Sequence, residues 1–127
     1  MFTCFYRQEG KVNSTTDLEA LMEMETRSVI WVDLFAPNAE VRSAIEQRFS
    51  VELFTRQEAE EIESSSRYFE NEEEINANLN YIYREGDRYA VDPVSFILKD
   101  NLLITQRTIP LRSFEDVQRY LRYSRRS

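Results

Sequence analysis

Val29-Ile30-Trp31-Val32-Asp33-Leu34 is a run of β-branched, aromatic and aliphatic side chains broken by one aspartate. A run so rich in strand formers reads as a buried β-strand. Pro37-Asn38 follows and opens a helix, in which Val41, Ile45 and Phe49 recur at four-residue spacing as a core stripe. A buried strand feeding an amphipathic helix places the chain in the α/β class.

Working outward, Phe2–Gln8 reads as a strand, with Glu9-Gly10 as the turn that ends it. Thr15, Thr16 and Asp17 offer caps for a helix over residues 18–24, where Leu18, Leu21 and Met22 share a face. Downstream, Thr55-Arg56-Gln57-Glu58 has the capping-box spacing and starts an acidic helix that runs to about Ser64. Arg67–Glu70 reads as a short strand, and residues 75–81 alternate apolar with polar as a half-buried strand does, continuing to Tyr83. Glu85-Gly86-Asp87 is a turn. Residues 94–99 and 102–106 form a hairpin about Asp100-Asn101. Ser113-Phe114-Glu115-Asp116 caps a last helix with Phe114, Val117 and Leu121 on one face, and no glycine stops it before Ser127. Six or seven strands with three or four helices give one α/β domain with a mixed sheet over residues 1–127, with no linker and no repeat.

Composition narrows the function. The 127 residues are 42% hydrophobic and 13% aromatic with two glycines and three prolines, enough apolar material for one packed domain. A net charge of -7 lacks the basic footprint that nucleic-acid binding needs. That charge is uneven: acids dominate from Glu52 to Asp87, whereas Arg107, Arg112, Arg119, Arg122, Arg125 and Arg126 outnumber Glu115 and Asp116 at the other end. With no histidine, the commonest general base and transition-metal ligand are absent. The single cysteine, Cys4, allows neither an intrachain disulfide nor a Cys/His zinc site, and it reads as a structural thiol of a strand. There is no glycine-rich phosphate loop and no Gly-x-Ser-x-Gly elbow, so an enzyme is not expected. No signal pattern and no apolar run of about 20 residues occurs, so the chain as given reads as soluble and unsecreted.

Oxygen chemistry remains. Magnesium and calcium take carboxylates, carbonyls and water, and magnesium keeps several waters, so one or two placed acids suffice. Glu58, Glu60, Glu61 and Glu63 fall within one helix, and Glu70, Glu72, Glu73 and Glu74 follow. Such a cluster reads either as a solvated acidic face or as a surface that attracts cations. No alternating-aspartate calcium loop is present.

Several segments, in consistent order over about residues 29 to 121, resemble the N-terminal domain of CorA-type magnesium transporters. Trp31-Val32-Asp33-Leu34 followed by Pro37 resembles their Trp-x-Asp-Leu opening, and Phe49-Ser50-Val51 resembles their Phe-Gly-Ile turn with serine in place of glycine. Glu60-Glu61-Ile62-Glu63, with Arg67 and Glu70 beyond it, is similar to their Glu-Asp-Ile-Glu stretch. Val94-Ser95-Phe96-Ile97-Leu98 and Asn101-Leu102-Leu103-Ile104-Thr105 match their hairpin before the stalk.

The resemblance implies a cytoplasmic α/β/α sandwich with a mixed, largely antiparallel sheet, at the inner face of the cell membrane. The last helix, from about residue 113, would lead to a stalk and membrane helices that this chain does not contain. It implies a homopentamer when full length, passing magnesium and often cobalt or nickel; repulsion between the acidic surfaces leads to an expectation of monomers or weak dimers for the fragment alone. It also implies a regulatory Mg2+ between subunits, held by an acid at the position of Glu61, with Glu58, Glu60 and Glu63 as further candidates. The alternatives are a zinc-transporting relative of the same fold, whose sensing this histidine-free domain would serve poorly, and a stand-alone acidic interaction module.

Overall fold

Left-handed backbone sets the first reversal of the chain. Glu9 and Gly10 both have positive φ, 54° and 76°, and turn β1 (Phe2–Gln8) back into β2 (Lys11–Thr15). The computed structural model describes residues 1–53, 67–70 and 74–123. The second strand is absent from the sequence reading because Val12 is its one buried residue, too little for a hydrophobic period to show. The Asp17 carboxylate accepts from Glu19 N at 3.1 Å and starts α1 (Leu18–Glu23). After a 3-10 turn at Thr26–Ser28 comes β3 (Val29–Phe35), buried as its composition requires. Asn38 Oδ1 accepts from Val41 N at 2.9 Å and caps α2 (Ala39–Phe49), so Pro37-Asn38 opens the helix as expected.

Helix α2 ends at Ser50, which adopts the left-handed conformation at φ 54° and ψ 50°. Lys99 Nζ reaches over from the sheet to the carbonyls of Phe49 at 3.1 Å and Ser50 at 3.0 Å, a cation placed where the helix dipole is negative. The chain then returns as β4 (Arg67–Glu70), β5 (Glu74–Glu85), β6 (Arg88–Lys99), β7 (Leu102–Arg107) and α3 (Arg112–Tyr123). Asp100 and Asn101, at φ 49° and 69°, form the two-residue turn of the β6–β7 hairpin.

The seven strands form one sheet in the order β2-β1-β3-β7-β6-β5-β4. All neighbours are antiparallel except β3 and β7, which run parallel from Trp31 beside Leu103 to Phe35 beside Arg107. Strand alternation assigns the two faces. Val32 and Leu34 face α1 and α2, packing with Leu21, Ile45 and Phe49. Trp31 faces α3, packing with Phe5, Val94 and Phe114. Leu21 and Ile45 are fully buried, each contributing roughly 1.5–3 kcal/mol of apolar burial. The architecture is the expected α/β/α sandwich with a mixed, largely antiparallel sheet.

Four local readings change. On β5 the polar members of the alternation, Asn76 and Asn78, are the buried ones, because Asn78 Oδ1 accepts from Ser95 Oγ at 2.6 Å and Asn76 Nδ2 donates to Glu74 at 2.6 Å. Strand β6 begins six residues before Val94. It accommodates Pro93 where only β5 flanks it, since β7 pairs from Ser95 onward. On α3, Val117 is half exposed at 49% while Gln118 is buried at 6%, so the inward stripe is Phe114, Gln118 and Leu121, with Leu111 just before the helix in line with it. The helix starts at Arg112, which puts Ser113 inside its first turn instead of at its cap. The expected helix over residues 55–64 lies outside the described residues.

Candidate functional site

Asp33 is the one charged residue in an otherwise apolar strand, and β3 carries it into the interior at 2% exposure. A carboxylate there needs a full set of donors. Thr105, its register partner on the parallel strand β7, donates through Oγ1 to Asp33 Oδ1 at 2.9 Å. The same hydroxyl accepts from Trp31 Nε1 at 2.9 Å, so it relays between the indole and the carboxylate. Arg107, two residues further along β7, donates through Nη2 to Oδ2 at 2.8 Å and through Nε to Oδ1 at 3.2 Å. Gln118 Nε2 on α3 donates to Oδ2 at 2.7 Å.

Aromatic rings close the arrangement. The Arg107 guanidinium carbon lies 4.5 Å from the Phe35 ring centroid and 5.3 Å from that of Phe114. Arg107 Nη1 donates to the Ile109 carbonyl at 2.9 Å, which fixes the loop into α3. Trp31 stacks on Phe5 at 5.5 Å and meets Phe114 edge-on at 5.6 Å. The sequence groups Arg107 with the arginines of the basic end; the structure buries it to 5% and pairs it with Asp33. A saturated, enclosed carboxylate has no lone pair or space to offer a substrate, so this cluster is an anchor that ties β3, β7 and α3 together.

The expected metal-binding acids, Glu58, Glu60, Glu61 and Glu63, lie outside the described residues. The structure does place both flanks of that stretch. Leu53 N donates to Glu46 Oε2 at 2.8 Å and Arg42 Nη2 donates to the Leu53 carbonyl at 3.0 Å, so α2 holds the chain before it. Beyond it, β4 is hydrogen-bonded to β5. Among the described residues, no three His, Cys, Asp or Glu side chains converge to hold a metal ion. A cavity of about 10 Å3 lined by Glu52, Leu53, Asn78 and Ser95 has room for about one water. Cys4 is fully buried and burial pushes its thiol up to about 12, which makes it inert as a nucleophile. No helix among the described residues is long and apolar enough to cross a membrane.

The sequence reading missed Gln118 and Thr105 and misplaced Arg107. The available signal was Asp33 itself, a charge at an inward position of a buried strand, which demands a cation and donors from neighbouring elements.

Comparison with known proteins places this architecture. The family described as "CorA-like Mg2+ transporter protein" matches residues 26–127. A "Magnesium transport protein CorA" of Wolinella succinogenes is 31% identical over 124 residues, covering 93% of this chain and 38% of that protein. Its namesake from Salmonella typhimurium is 30% identical over 103 residues, 80% of this chain and 33% of that protein. The chain thus spans well under half the length of these relatives. The soluble domain of CorA from Methanocaldococcus jannaschii superposes with a TM-score of 0.67 at 14% identity, covering 98% of this chain and 47% of that one. The fold agrees along nearly the whole chain and the family match takes in β3, α2, the acidic stretch and α3, so the chain belongs to the CorA-like Mg2+ transporter family.

Proposed function

We propose that the chain is the regulatory, magnesium-sensing domain of a transporter whose cargo is Mg2+, with cobalt and nickel as further cargo. Residues 1–127 form that domain at the cytoplasmic face of the cell membrane, in a homopentamer, with the conducting helices following α3. The observation that carries this reading is the family match over residues 26–127 together with the fold of a CorA soluble domain. The gene beyond the Ser127 codon is expected to encode two apolar segments of about 20 residues each; a stop codon in their place would refute it.

The sensing element is the stretch containing Glu58, Glu60, Glu61 and Glu63, with Glu61 as the principal ligand. Residues 52–74 hold nine acids and two arginines, so their net charge equals the -7 of the whole chain. Mutual repulsion in such a segment is relieved by a divalent cation. A cation bridging two acidic subunit surfaces favours the arrangement that brings them together, a shift toward the closed state when internal Mg2+ is high. The expected outcome for Glu61→Ala in the full-length transporter, reconstituted in liposomes, is closure only at several-fold higher internal Mg2+. Closure at an unchanged concentration would remove Glu61 from the sensing role.

A further inference from the structure

The inward stripe of α3 is Phe114, Gln118 and Leu121, extended backward by Leu111 just before the helix, the four being spaced three, four and three residues apart. Three of the four are apolar, and of these Leu111 and Leu121 make contacts that have no preferred direction. The fourth is an amide that donates to Asp33 Oδ2 at 2.7 Å. The helix spans twelve residues, about 18 Å. Its first turn is fixed by the short connection from β7, by the hydrogen bond from Arg107 to Ile109 and by Phe114 packed edge-on against Trp31 and Phe96. A rod held at one end pivots; a second fixed point defines its direction. Beyond Phe114, Leu121 is only partly buried and Arg122 lies over the Phe5 ring at 5.7 Å. The directional contact is Gln118.

Energetics separate this role from simple stabilisation. Asp33 Oδ2 also receives Arg107 Nη2 at 2.8 Å, so losing Gln118 leaves the carboxylate ion-paired and hydrogen-bonded. An apolar residue at position 118 would complete an uninterrupted stripe. The situation parallels the single polar residue of a coiled-coil core, which fixes geometry without adding stability.

We propose that Gln118 is a positioning residue: acting through Asp33, it sets the direction in which α3 leaves the sheet and hence the path of the segment that follows. The consequence for transport rests on the function proposed above; the geometric claim stands apart from it and is tested on this chain alone.

The test uses spin labels at Tyr120→Cys and Asn13→Cys, both exposed positions, with the buried Cys4 left unlabelled. With Gln118, the distance between labels is a single narrow distribution. Gln118→Met, which keeps the length and removes the donor, is expected to widen that distribution at least about two-fold, with the melting midpoint moving by less than about 5 °C. Gln118→Leu is expected to behave alike. An equally narrow and unshifted distribution in either folded variant would overturn the proposal. Loss of cooperative folding in both would also overturn it, by showing that the hydrogen bond holds the fold together and does not merely aim the helix.

Discussion

Asp33 and Arg107 meet across the parallel seam between β3 and β7, Nη2 to Oδ2 at 2.8 Å, with side chains 2% and 6% exposed. Two charges this deep are expensive to desolvate, and their retention depends on the donors and rings that surround them. Removing one partner strands the other. Arg107→Met is expected to lower unfolding free energy by about 3–5 kcal/mol, read from urea denaturation. The double change Asp33→Asn with Arg107→Met is expected to lose less than the two single changes summed. Strict additivity would show that the two residues do not act as a pair.

Ser50 closes α2 in the left-handed region, φ 54° and ψ 50°, where a Cβ is penalised and glycine is not. Ser50→Gly is therefore expected to raise stability by about 0.5–1 kcal/mol, visible as a higher melting midpoint. A lower midpoint would mean that Ser50 makes a compensating contact.

At the other end of the same helix, the Asn38 side chain accepts from Val41 N. Asn38→Ala should cost about 1 kcal/mol, and Asn38→Asp should retain the cap. Thermal melts of the two variants should differ by several degrees; equal losses would argue against the cap.

The sequence made strands visible where apolar residues were dense. Phe2–Gln8 and the run from Val29 both emerged with bounds within a residue of those found, and Asp100-Asn101 was legible as a turn because both residues tolerate positive φ. What stayed hidden were polar side chains that the fold buries. Gln118 looks like a surface residue between Val117 and Arg119 because its acceptor is 85 positions away. Asn78 looks outward-facing for the same reason, its partner Ser95 lying on the next strand, and Asn76 looks so because alternation alone assigns a polar residue to solvent. One-dimensional periodicity records hydrophobicity and not hydrogen-bond partners, so a satisfied buried amide and a solvated one read alike. The acidic stretch was conspicuous by charge, yet Glu58, Glu60, Glu61 and Glu63 lie outside the described residues, and their role rests on the experiment proposed for Glu61.

Cys4 supplies a pH test of the core. Burial raises its pKa from 9.0 to about 12, so the folded state keeps the proton where the unfolded state releases it. The resulting stability is fully present below about pH 9 and is lost as pH rises toward 12, at about 1.4 kcal/mol per pH unit. Cys4→Ala should be less stable at neutral pH because it leaves a cavity, but its stability should fall less steeply above pH 9 than that of the parent. Parallel slopes would place the ionising thiol in contact with solvent.

The sheet consists of two antiparallel runs, β2-β1-β3 and β7-β6-β5-β4, and among the described residues the strands of one run pair with those of the other along the β3–β7 seam alone. Neighbours within each run are close in sequence, whereas Trp31 reaches Thr105 across 74 positions. Closing so long a loop is slow, and parallel pairing is the weaker kind. If the seam parts, β3 and β7 each become a bare edge, flanked by apolar residues such as Val32 and Ile104 that were fully or almost fully buried. Unpaired edges of that composition template intermolecular sheet growth. Heat-driven aggregation of this chain is accordingly expected to begin with two half-sheets still intact, and weakening the ring-packed ion pair at the seam is expected to hasten it.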